Sequence, residues 1–383
     1  MRDVFITGAG MTMFGRHDRR SLRDLGREAC FIALRDAGVQ PKEIEAGFCG
    51  NALAPAIQGE TGVGQHVFWE VGINRIPVVN MENACATGST ALHEAWMTVA
   101  AGFYDAVIVC GVEKTVMPKG QMLNVGAGDL ETRLGDVFPG YFALIASKHM
   151  EKYGTTKEQM AQVSVKNHFN GTLNPYAQFQ KLCSLEEVLA SPVVADPMTL
   201  LSCCPNSDGA AALILCNRER AKKAAKKPII IAASVLTTGS YEYQRDITGW
   251  ECEMRAADEA YRMASLGPED IDVVEVHDAF TIGEIIHCEG LRFCEPGEGG
   301  RLVEEGATSL TGRVPVNPSG GLLSRGHPVG ASGVAQIVEL VWQLRGEAEK
   351  RQVKGARVGL AQIMGGTKET DTRACTVHIM VRD

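Results

Sequence analysis

One cysteine of this chain, Cys85, lies among small residues in a setting that suits a nucleophile. It belongs to Asn-Ala-Cys-Ala-Thr-Gly-Ser-Thr at 83–90, between an apolar strand-like run at 76–79 and an amphipathic helical run at 91–100. A thiol at the first turn of a helix faces unpaired backbone N–H groups and the positive end of the helix dipole, and both favour the thiolate. The common alternative for an unpaired cysteine is a small buried apolar residue. The small neighbours allow close approach of a substrate and favour the nucleophile.

A histidine near the other end of the chain occupies a similar turn. His327 lies in Gly-His-Pro-Val-Gly at 326–330, just ahead of a helical run at 334–345. The adjacent glycine and proline fix the backbone and leave the ring facing outward, although a capping role is the alternative. If the two turns meet over one cleft, cysteine and histidine together indicate covalent acyl chemistry.

A second histidine follows a strand-like run at 273–276. His277 opens the sequence His-Asp-Ala-Phe at 277–280. An imidazole at the end of a strand can donate a hydrogen bond to a thioester oxygen. Taken alone, these four residues are a weak signal.

Other sequence patterns that could indicate a bound cofactor are incomplete. The sequence Gly-Ala-Gly at 8–10 follows a strand, but the third glycine of a dinucleotide-binding turn is missing. His287, Cys288 and Cys294 lack metal-ligand spacing. We therefore expect neither a bound dinucleotide nor a metal ion.

The composition is that of an ordinary globular enzyme. The chain has 383 residues, 45% hydrophobic and 22% charged, with a net charge of −8. An acidic chain without long basic stretches is a poor nucleic-acid binder. Twelve scattered cysteines indicate a reducing, cytoplasmic setting. No apolar run reaches the roughly 18 residues of a membrane span, and the first residues lead directly into a strand instead of a signal peptide.

The same order of elements occurs twice along the chain. A strand at 4–10, a helix at 22–37, a proline turn and a strand at 46–50 correspond to a strand at 228–235, a helix at 254–264, a proline turn and a strand at 273–276. The helix and strand at 91–110 correspond likewise to those at 334–361. Buried Val/Ile strands between helices predict two similar βαβ-rich α/β halves. We place their boundary in the Lys-rich linker, giving domains at 1–225 and 226–383.

The first half also contains an insertion at about 115–198 that has no counterpart in the second. It carries predicted helices at 141–153 and 157–171. Long insertions on a rigid scaffold usually carry binding function. We expect a cap over the substrate or coenzyme.

Together these segments resemble the thiolase superfamily over essentially the whole chain. The elbow at 83–90 resembles the acyl-accepting cysteine segment of the family, and Gly-His-Pro-Val-Gly-Ala-Ser-Gly at 326–333 resembles its distinctive C-terminal motif. The segments at 153–156, 204–211 and 277–280 are similar to the branch that contains sterol-carrier-type thiolases and archaeal acetoacetyl-CoA thiolases. The resemblance implies a thiolase-like fold, in which the two halves form a layered αβαβα arrangement.

The resemblance also implies roles for individual residues. Cys85 would take the acyl group as a thioester, and His327 would accept its proton. His277 would help to hold the thioester oxygen, while backbone N–H groups at Cys85, Gly365 and Gly366 would form a second oxyanion hole. Coenzyme A would be a co-substrate without any permanently bound cofactor. A homodimeric core is implied, and relatives of this branch often work with a small partner that has an OB fold and a zinc ribbon.

The sequence departs from the family at the second catalytic cysteine. Many thiolases have this cysteine in the final glycine loop, where this chain reads Ala-Gln-Ile-Met-Gly-Gly-Thr at 361–367. Sterol-carrier-type enzymes have one where this chain has Ala279. Either a histidine serves twice, or the acid/base comes from elsewhere.

Three functions remain open at this point. The first is CoA-dependent cleavage or formation of a β-ketoacyl-CoA. The second is a retro-aldol lyase that acts on a β-hydroxyacyl-CoA, which would need no acyl acceptor, and the third is a non-catalytic lipid-transfer-like subunit. The acyl group could be acetoacetyl or a bulkier aromatic or dicarboxylic one.

Overall fold

A computed structural model describes residues 1–116, 130–135, 137–240, 246–368 and 371–382. The part of the predicted insertion at 117–129 lies outside the described residues. The strands are β1 Val4–Met11, β2 Ala46–Gly50, β3 Val78–Met81, β4 Ala106–Lys114, β5 Val193–Ala195, β6 Met198–Thr199, β7 Asp208–Asn217, β8 Ile229–Thr237, β9 Val273–Glu275, β10 Val358–Lys368 and β11 Asp371–Arg382. The helices are α1 Leu22–Ala37, α2 Ala54–Ile57, α3 Val63–Glu70, α4 Thr87–Ala101, α5 Leu130–Arg133, α6 Phe138–Tyr153, α7 Lys157–Thr172, α8 Leu185–Ala190, α9 Arg218–Ala221, α10 Glu251–Ala264, α11 Thr281–Gly290, α12 Gly299–Glu304, α13 Gly321–Arg325 and α14 Val329–Arg345.

Within these ranges, nine strands form one mixed sheet in the order β3-β2-β4-β7-β1-β8-β11-β10-β9. The pairs β2–β3, β2–β4 and β9–β10 are parallel, and the other pairs are antiparallel. The two halves join where β1 meets β8 over the short register Phe5↔Ile230 and Ile6↔Ile229. The strands β5 and β6 pair separately inside the insertion.

The predicted repeat is present in the sheet. In the second half, β8, α10, a 3₁₀ turn and β9 follow the order of β1, α1, a 3₁₀ turn and β2 in the first. Val316 bridges Val274 in parallel, as Val79 of β3 pairs with Phe48 of β2. The expectation of two similar βαβ-rich halves is confirmed, while the domain boundary at residue 225 stays a prediction.

Three hydrophobic clusters separate the layers. The first packs α1 and α3 on one face of β4 and β7. The middle cluster packs α4 and α14 between the other face of these strands and the inner side of β8, β10 and β11. The third packs α10 and α11 on the outer side of β8 and β11. This is the layered αβαβα arrangement that the resemblance implied.

Helix α14 begins five residues before the predicted start, and the reason is tertiary packing. Its first five residues include Gly330 and Gly333, which lower intrinsic helix propensity. The backbone there touches the first half: a Cβ atom on Gly88 or Gly111 would lie 2.5 or 2.4 Å from the carbonyl oxygen of Gly330. Small residues on both sides therefore allow α4 and α14 to approach closely, and this brings the Cys85 and His327 turns together.

Candidate active site

Cys85 lies in a tight elbow between β3 and α4, directly before the cap residue Ala86. Ala84 has a positive φ of 48°, which is uncommon for a residue with a side chain. Thr87 holds the elbow closed: its hydroxyl accepts the N–H of Asn83 at 2.8 Å and donates to the carbonyl of Ala84 at 2.6 Å. A strained backbone held by local hydrogen bonds is typical of a functional position.

The glycine loop of the sequence analysis forms the last part of strand β10, and it lies directly against this elbow. A Cβ atom on Gly365 would be 2.7 Å from the backbone nitrogens of Cys85 and Ala86 and 2.6 Å from the Asn83 carbonyl oxygen. Gly366 has φ +69°, a conformation that favours glycine. Its N–H and that of Cys85 are directed at the thiol sulfur and oppose the rise that burial causes in the pKa of Cys85. The elbow and the glycine loop thus form one surface of backbone donors around the sulfur.

His327 is held in one orientation and one tautomer. Its backbone N–H donates to the Ser207 hydroxyl at 2.9 Å, and its Nδ1 lies 2.8 Å from the Ser332 hydroxyl oxygen. Because the Ser332 hydroxyl donates to the Pro328 carbonyl at 3.0 Å, we assign the proton to Nδ1, which donates to that oxygen. Nε2 then carries a lone pair and has no hydrogen-bond partner among the described residues. This is the tautomer that a general base needs.

His277 lies beside His327, and its ring makes no hydrogen bond to the described residues. It is 4% exposed, and neither ring nitrogen has a hydrogen-bond partner in the described part of the chain. The centroids of the two imidazole rings are 5.4 Å apart in an edge-to-face arrangement. Burial, and then the neighbouring His327 and His287, lower the pKa of His277 well below its usual value, so the ring is neutral.

The structure brings the three predicted side chains together. The sulfur of Cys85, one ring nitrogen of His277 and one ring nitrogen of His327 all lie within 4.8 Å of one another. Residues that are 242 positions apart in sequence, Cys85 and His327, therefore share one site. Cysteine and histidine also suit a zinc ion, so the predicted absence of a metal stays a prediction.

The charge state of Cys85 differs from the sequence expectation. Burial raises the pKa of the Cys85 thiol to about 12, because it outweighs the opposing N–H groups of Gly366 and Cys85, and the Glu113 and Glu82 carboxylates raise it further. Burial, and then the Arg325 guanidinium, lower the pKa of His327 to about 3. The expectation that the helix terminus holds a thiolate is wrong for the unliganded site. At rest the site holds a thiol beside neutral imidazoles, and a base must remove the proton.

This charge state predicts how Cys85 reacts with an alkylating agent. Below its pKa the thiolate fraction grows about tenfold for each pH unit, and only the thiolate reacts. We expect the alkylation of Cys85 by iodoacetamide, followed by peptide mass mapping, to rise steadily between about pH 6 and pH 10. Cys183, a partly buried cysteine away from the three side chains, serves as the internal control. A plateau of the Cys85 rate at neutral pH would instead reveal a thiolate–imidazolium pair.

An apolar cavity of about 250 Å³ opens next to Cys85. The insertion contributes Phe138, Tyr141, Phe142 and Val194 to its wall, which agrees with the predicted cap. Other wall residues come from the rest of the chain, and the sequence alone gave them no role: Cys203, Cys204, Asn206 and Trp250. Cys204 and Asn206 belong to the segment at 204–211 that is similar to the sterol-carrier branch, but nothing in the sequence showed that this segment faces Cys85.

Glu113 at the end of β4 joins the two halves behind the site. Its buried carboxylate accepts the N–H of Gly330 at 3.0 Å and that of Ala52 at 2.8 Å, and the side-chain amide of Asn51 at 2.8 Å. Burial raises the pKa of Glu113 to about 7 despite these donors. Because Gly330 opens the helix that follows His327, this carboxylate helps to fix the His327 turn.

The fold and the site define an enzyme of the thiolase type, with a cysteine and a histidine supplied by two related halves. Two family models match the chain: the thiolase N-terminal domain over residues 4–219 and the thiolase C-terminal domain-like family over residues 233–377. The chain therefore belongs to the thiolase family. This confirms the predicted family, its CoA-linked acyl chemistry and the acyltransferase class.

Named relatives agree with the predicted branch. The chain is 44% identical to an acetyl-CoA acetyltransferase of Methanothermobacter thermautotrophicus, with 100% of both chains covered. It is 39% identical to the benzoylsuccinyl-CoA thiolase subunit BbsB of Thauera aromatica, with 98% of both covered. It is 40% identical to sterol carrier protein 2 of Bos taurus, with 94% of this chain and 70% of the relative covered.

Solved structures show the same fold. The Ltp2-ChsH2(DUF35) aldolase superposes with a TM-score of 0.85 at 26% identity, covering 100% of this chain and 98% of that one. Human mitochondrial 3-ketoacyl-CoA thiolase superposes with a TM-score of 0.72 at 19% identity, covering 100% and 99%. No helix in the described ranges is long and apolar enough to cross a membrane.

Proposed function

We propose that the protein is a CoA-dependent thiolase that cleaves or forms a β-ketoacyl-CoA through an acyl-thioester on Cys85. The observation that carries this is the convergence of the thiol and two neutral imidazoles within 4.8 Å, beside an apolar cavity. The nucleophile, its base and a place for the acyl group are thus adjacent.

Nucleophile activation follows from the His327 tautomer. The free lone pair on Nε2 takes the proton of the Cys85 thiol as the sulfur attacks the keto carbon. The resulting imidazolium is costly in this buried site, because the pKa of His327 is about 3 at rest. The negative charge that develops on the substrate compensates for it, so proton transfer accompanies attack instead of preceding it.

Two groups of donors stabilise the oxygens that become negative. The N–H groups of Cys85 and Gly366 face the sulfur and suit the oxygen of the tetrahedral acyl intermediate, and Gly365 packs against the Cys85 elbow beside them. A neutral His277 can donate one ring N–H to the other thioester oxygen, where the enolate forms. Each such donor contributes about 10²- to 10³-fold to the rate.

Coenzyme A acts as co-substrate in this proposal, without a resident cofactor or metal. The acyl group would occupy the apolar cavity under the insertion, whose wall includes the rings of Phe142, Trp250 and Phe280. The relatives are named for acetyl and benzoylsuccinyl groups. A substrate panel must therefore include short and aromatic β-ketoacyl-CoA thioesters.

We further infer a homodimeric core in the cytoplasm and a small OB-fold, zinc-ribbon partner. The support for the partner is that one relative is named a thiolase subunit and that one similar structure is described as a complex with a DUF35 protein. Enzymatic assays should therefore be run both with the chain alone and with such a protein added.

Trapping the acyl-enzyme tests the proposal. We expect incubation with acetyl-CoA or a matching longer acyl-CoA to add one acyl group to the protein, mapped by mass spectrometry to Cys85. The variant Cys85→Ala should lose the adduct because the attacking sulfur is gone. Cys183→Ser, which changes a cysteine away from the site, should keep it. Absence of any adduct across the panel, with a folded protein, would contradict the proposal.

A retro-aldol lyase is the second candidate, because the structure with a TM-score of 0.85 is described as an aldolase. Such a reaction breaks a carbon–carbon bond of a β-hydroxyacyl-CoA without an acyl acceptor. The retained Cys85 site argues against it. Cleavage of a β-hydroxyacyl-CoA in the absence of free coenzyme A, undiminished in Cys85→Ala, would favour the lyase.

A further inference from the structure

The proposed reaction needs an acid and base that the sequence motifs do not supply. When the carbon–carbon bond breaks, the enolate of acetyl-CoA must receive a proton, and the incoming coenzyme A must then lose one. His327 is occupied with the proton of Cys85. The two sequence positions where the family has a second cysteine carry no thiol here, and one of them is Ala279.

The structure places another cysteine, Cys204, beside Ala279. The backbone N–H of Cys204 donates to the Ala279 carbonyl at 2.8 Å. On either side of it, Cys203 forms an antiparallel bridge with Phe280, and Asn206 forms a parallel bridge with His327. The segment at 203–206 therefore runs between the His277 loop and the His327 turn, and it carries a thiol next to Ala279.

The Cys204 side chain faces the reaction cavity. It lines the same cavity as Cys85, His277 and His327, and it is partly exposed. Its thiol has no hydrogen-bond partner in the described part of the chain. The neighbouring Cys203 also lines the cavity, but its thiol donates to the Thr199 carbonyl at 3.3 Å. Of these two neighbouring cysteines, Cys204 is thus the one whose thiol is free in the cavity that Cys85, His277 and His327 also line.

We propose that Cys204 is the second acid/base of the reaction, and this inference rests on the proposed thiolase function. In the cleavage direction, the Cys204 thiol gives its proton to the α-carbon of the acetyl-CoA enolate and becomes a thiolate. That thiolate takes the proton of the incoming coenzyme A thiol. The coenzyme A sulfur then attacks the acyl group on Cys85, and the departing Cys85 sulfur recovers its proton from the His327 imidazolium. Each group ends in its starting state.

The electrostatics around Cys204 suit this cycle. Burial, and then the neighbouring Asp278, Cys203 and Cys85, raise the pKa of the Cys204 thiol well above its usual value. The thiol therefore keeps its proton until a strongly basic carbanion forms beside it. The thiolate that follows is basic enough to deprotonate coenzyme A.

The rival explanation is that His277 performs both transfers, because neither of its ring nitrogens has a partner in the described ranges. Two half-reactions separate the explanations. Acylation of Cys85 by a simple acyl-CoA breaks no carbon–carbon bond and needs no acid at the α-carbon. Enzyme-catalysed exchange of the α-hydrogens of acetyl-CoA in D₂O needs that acid and base.

We expect Cys204→Ala to lower α-hydrogen exchange and overall thiolysis by at least about 10²-fold, the usual contribution of an acid/base, with Cys85 acylation within about threefold of the parent. Cys204→Ser, which is nearly isosteric, should show the same loss because a hydroxyl is a poor base. The matched control Cys183→Ala, which changes a partly buried cysteine outside the cavity wall, should keep both half-reactions.

Other outcomes overturn the assignment in different ways. Exchange within about threefold of the parent in Cys204→Ala would assign the transfers to another group, and the thiolase function would stand. An equal loss of acylation and exchange would mean that Cys204 is structural. If the parent protein itself shows no acyl adduct on Cys85, the proposed function fails and this inference fails with it.

Discussion

Replacement of His327 by alanine is expected to lower the acylation of Cys85 by about 10²- to 10⁴-fold at neutral pH, the contribution of a positioned general base. The Cys85 thiol has a pKa of about 12 and donates no proton to water at this pH. Nε2 of His327 is a neutral, unpartnered nitrogen directed into the same site. Single-turnover mass spectrometry with acyl-CoA measures the rate directly.

The matched control for this variant is His378→Asn. Burial, and then the neighbouring His93, lower the pKa of His378 to about 3, as burial lowers that of His327. His378 bonds Ser234 on β8 and does not line the cavity. Its replacement should therefore leave acylation unchanged. If His327→Ala acylates within about tenfold of the parent, another base acts on Cys85.

The parts of the fold that were predictable are those that local sequence determines. Helix α1 begins at Leu22 and ends at Ala37 as predicted, because Ser21 and Asp24 form a capping box and Gly38 adopts the left-handed conformation at the end. Strand β2 likewise has the predicted bounds Ala46–Gly50, since a buried apolar run between turns is a sufficient signal.

The features that could not be predicted from the sequence depend on contacts between residues far apart in the chain. The predicted start of α14 was five residues late because local helix propensity disfavours the glycines among its first five residues. The packing of Gly330 on Gly111 nevertheless requires small residues there. The predicted thiolate at Cys85 was wrong because burial raises the pKa of the thiol more than the helix terminus lowers it. Burial depends on the whole site and cannot be read from the local sequence. Cys204 had no visible role because its proximity to Ala279 arises only when the two halves pack.

The candidate site itself was accessible from sequence for a different reason. Cys85 and His327 each lie in a turn of small residues that lets neighbouring backbone segments approach closely. Such a run of small residues is visible in the sequence. The structure brings both together with His277. Cys85→Ala and His327→Ala test the roles of the first two directly.

The glycine loop offers the last test, and it concerns backbone geometry alone. We expect Gly365→Ala to lower Cys85 acylation by about 10²- to 10³-fold, the cost of displacing one oxyanion donor, with the protein still folded. The new methyl group would lie 2.6 to 2.7 Å from the Asn83 carbonyl oxygen and from the nitrogens of Cys85 and Ala86, so either the loop or the elbow must move.

Gly346→Ala is the matched control for that variant. Gly346 ends α14 with φ +78°, and a Cβ atom there meets no heavy atom of the described residues within 4 Å. The replacement forces a strained backbone and costs about 1 kcal/mol of stability, yet it touches nothing in the site. It should therefore lower the melting temperature slightly and leave acylation intact. If Gly365→Ala also acylates at the parent rate, the contact between the glycine loop and the Cys85 elbow does not position the donors, and the oxyanion must be held by His277 and other groups.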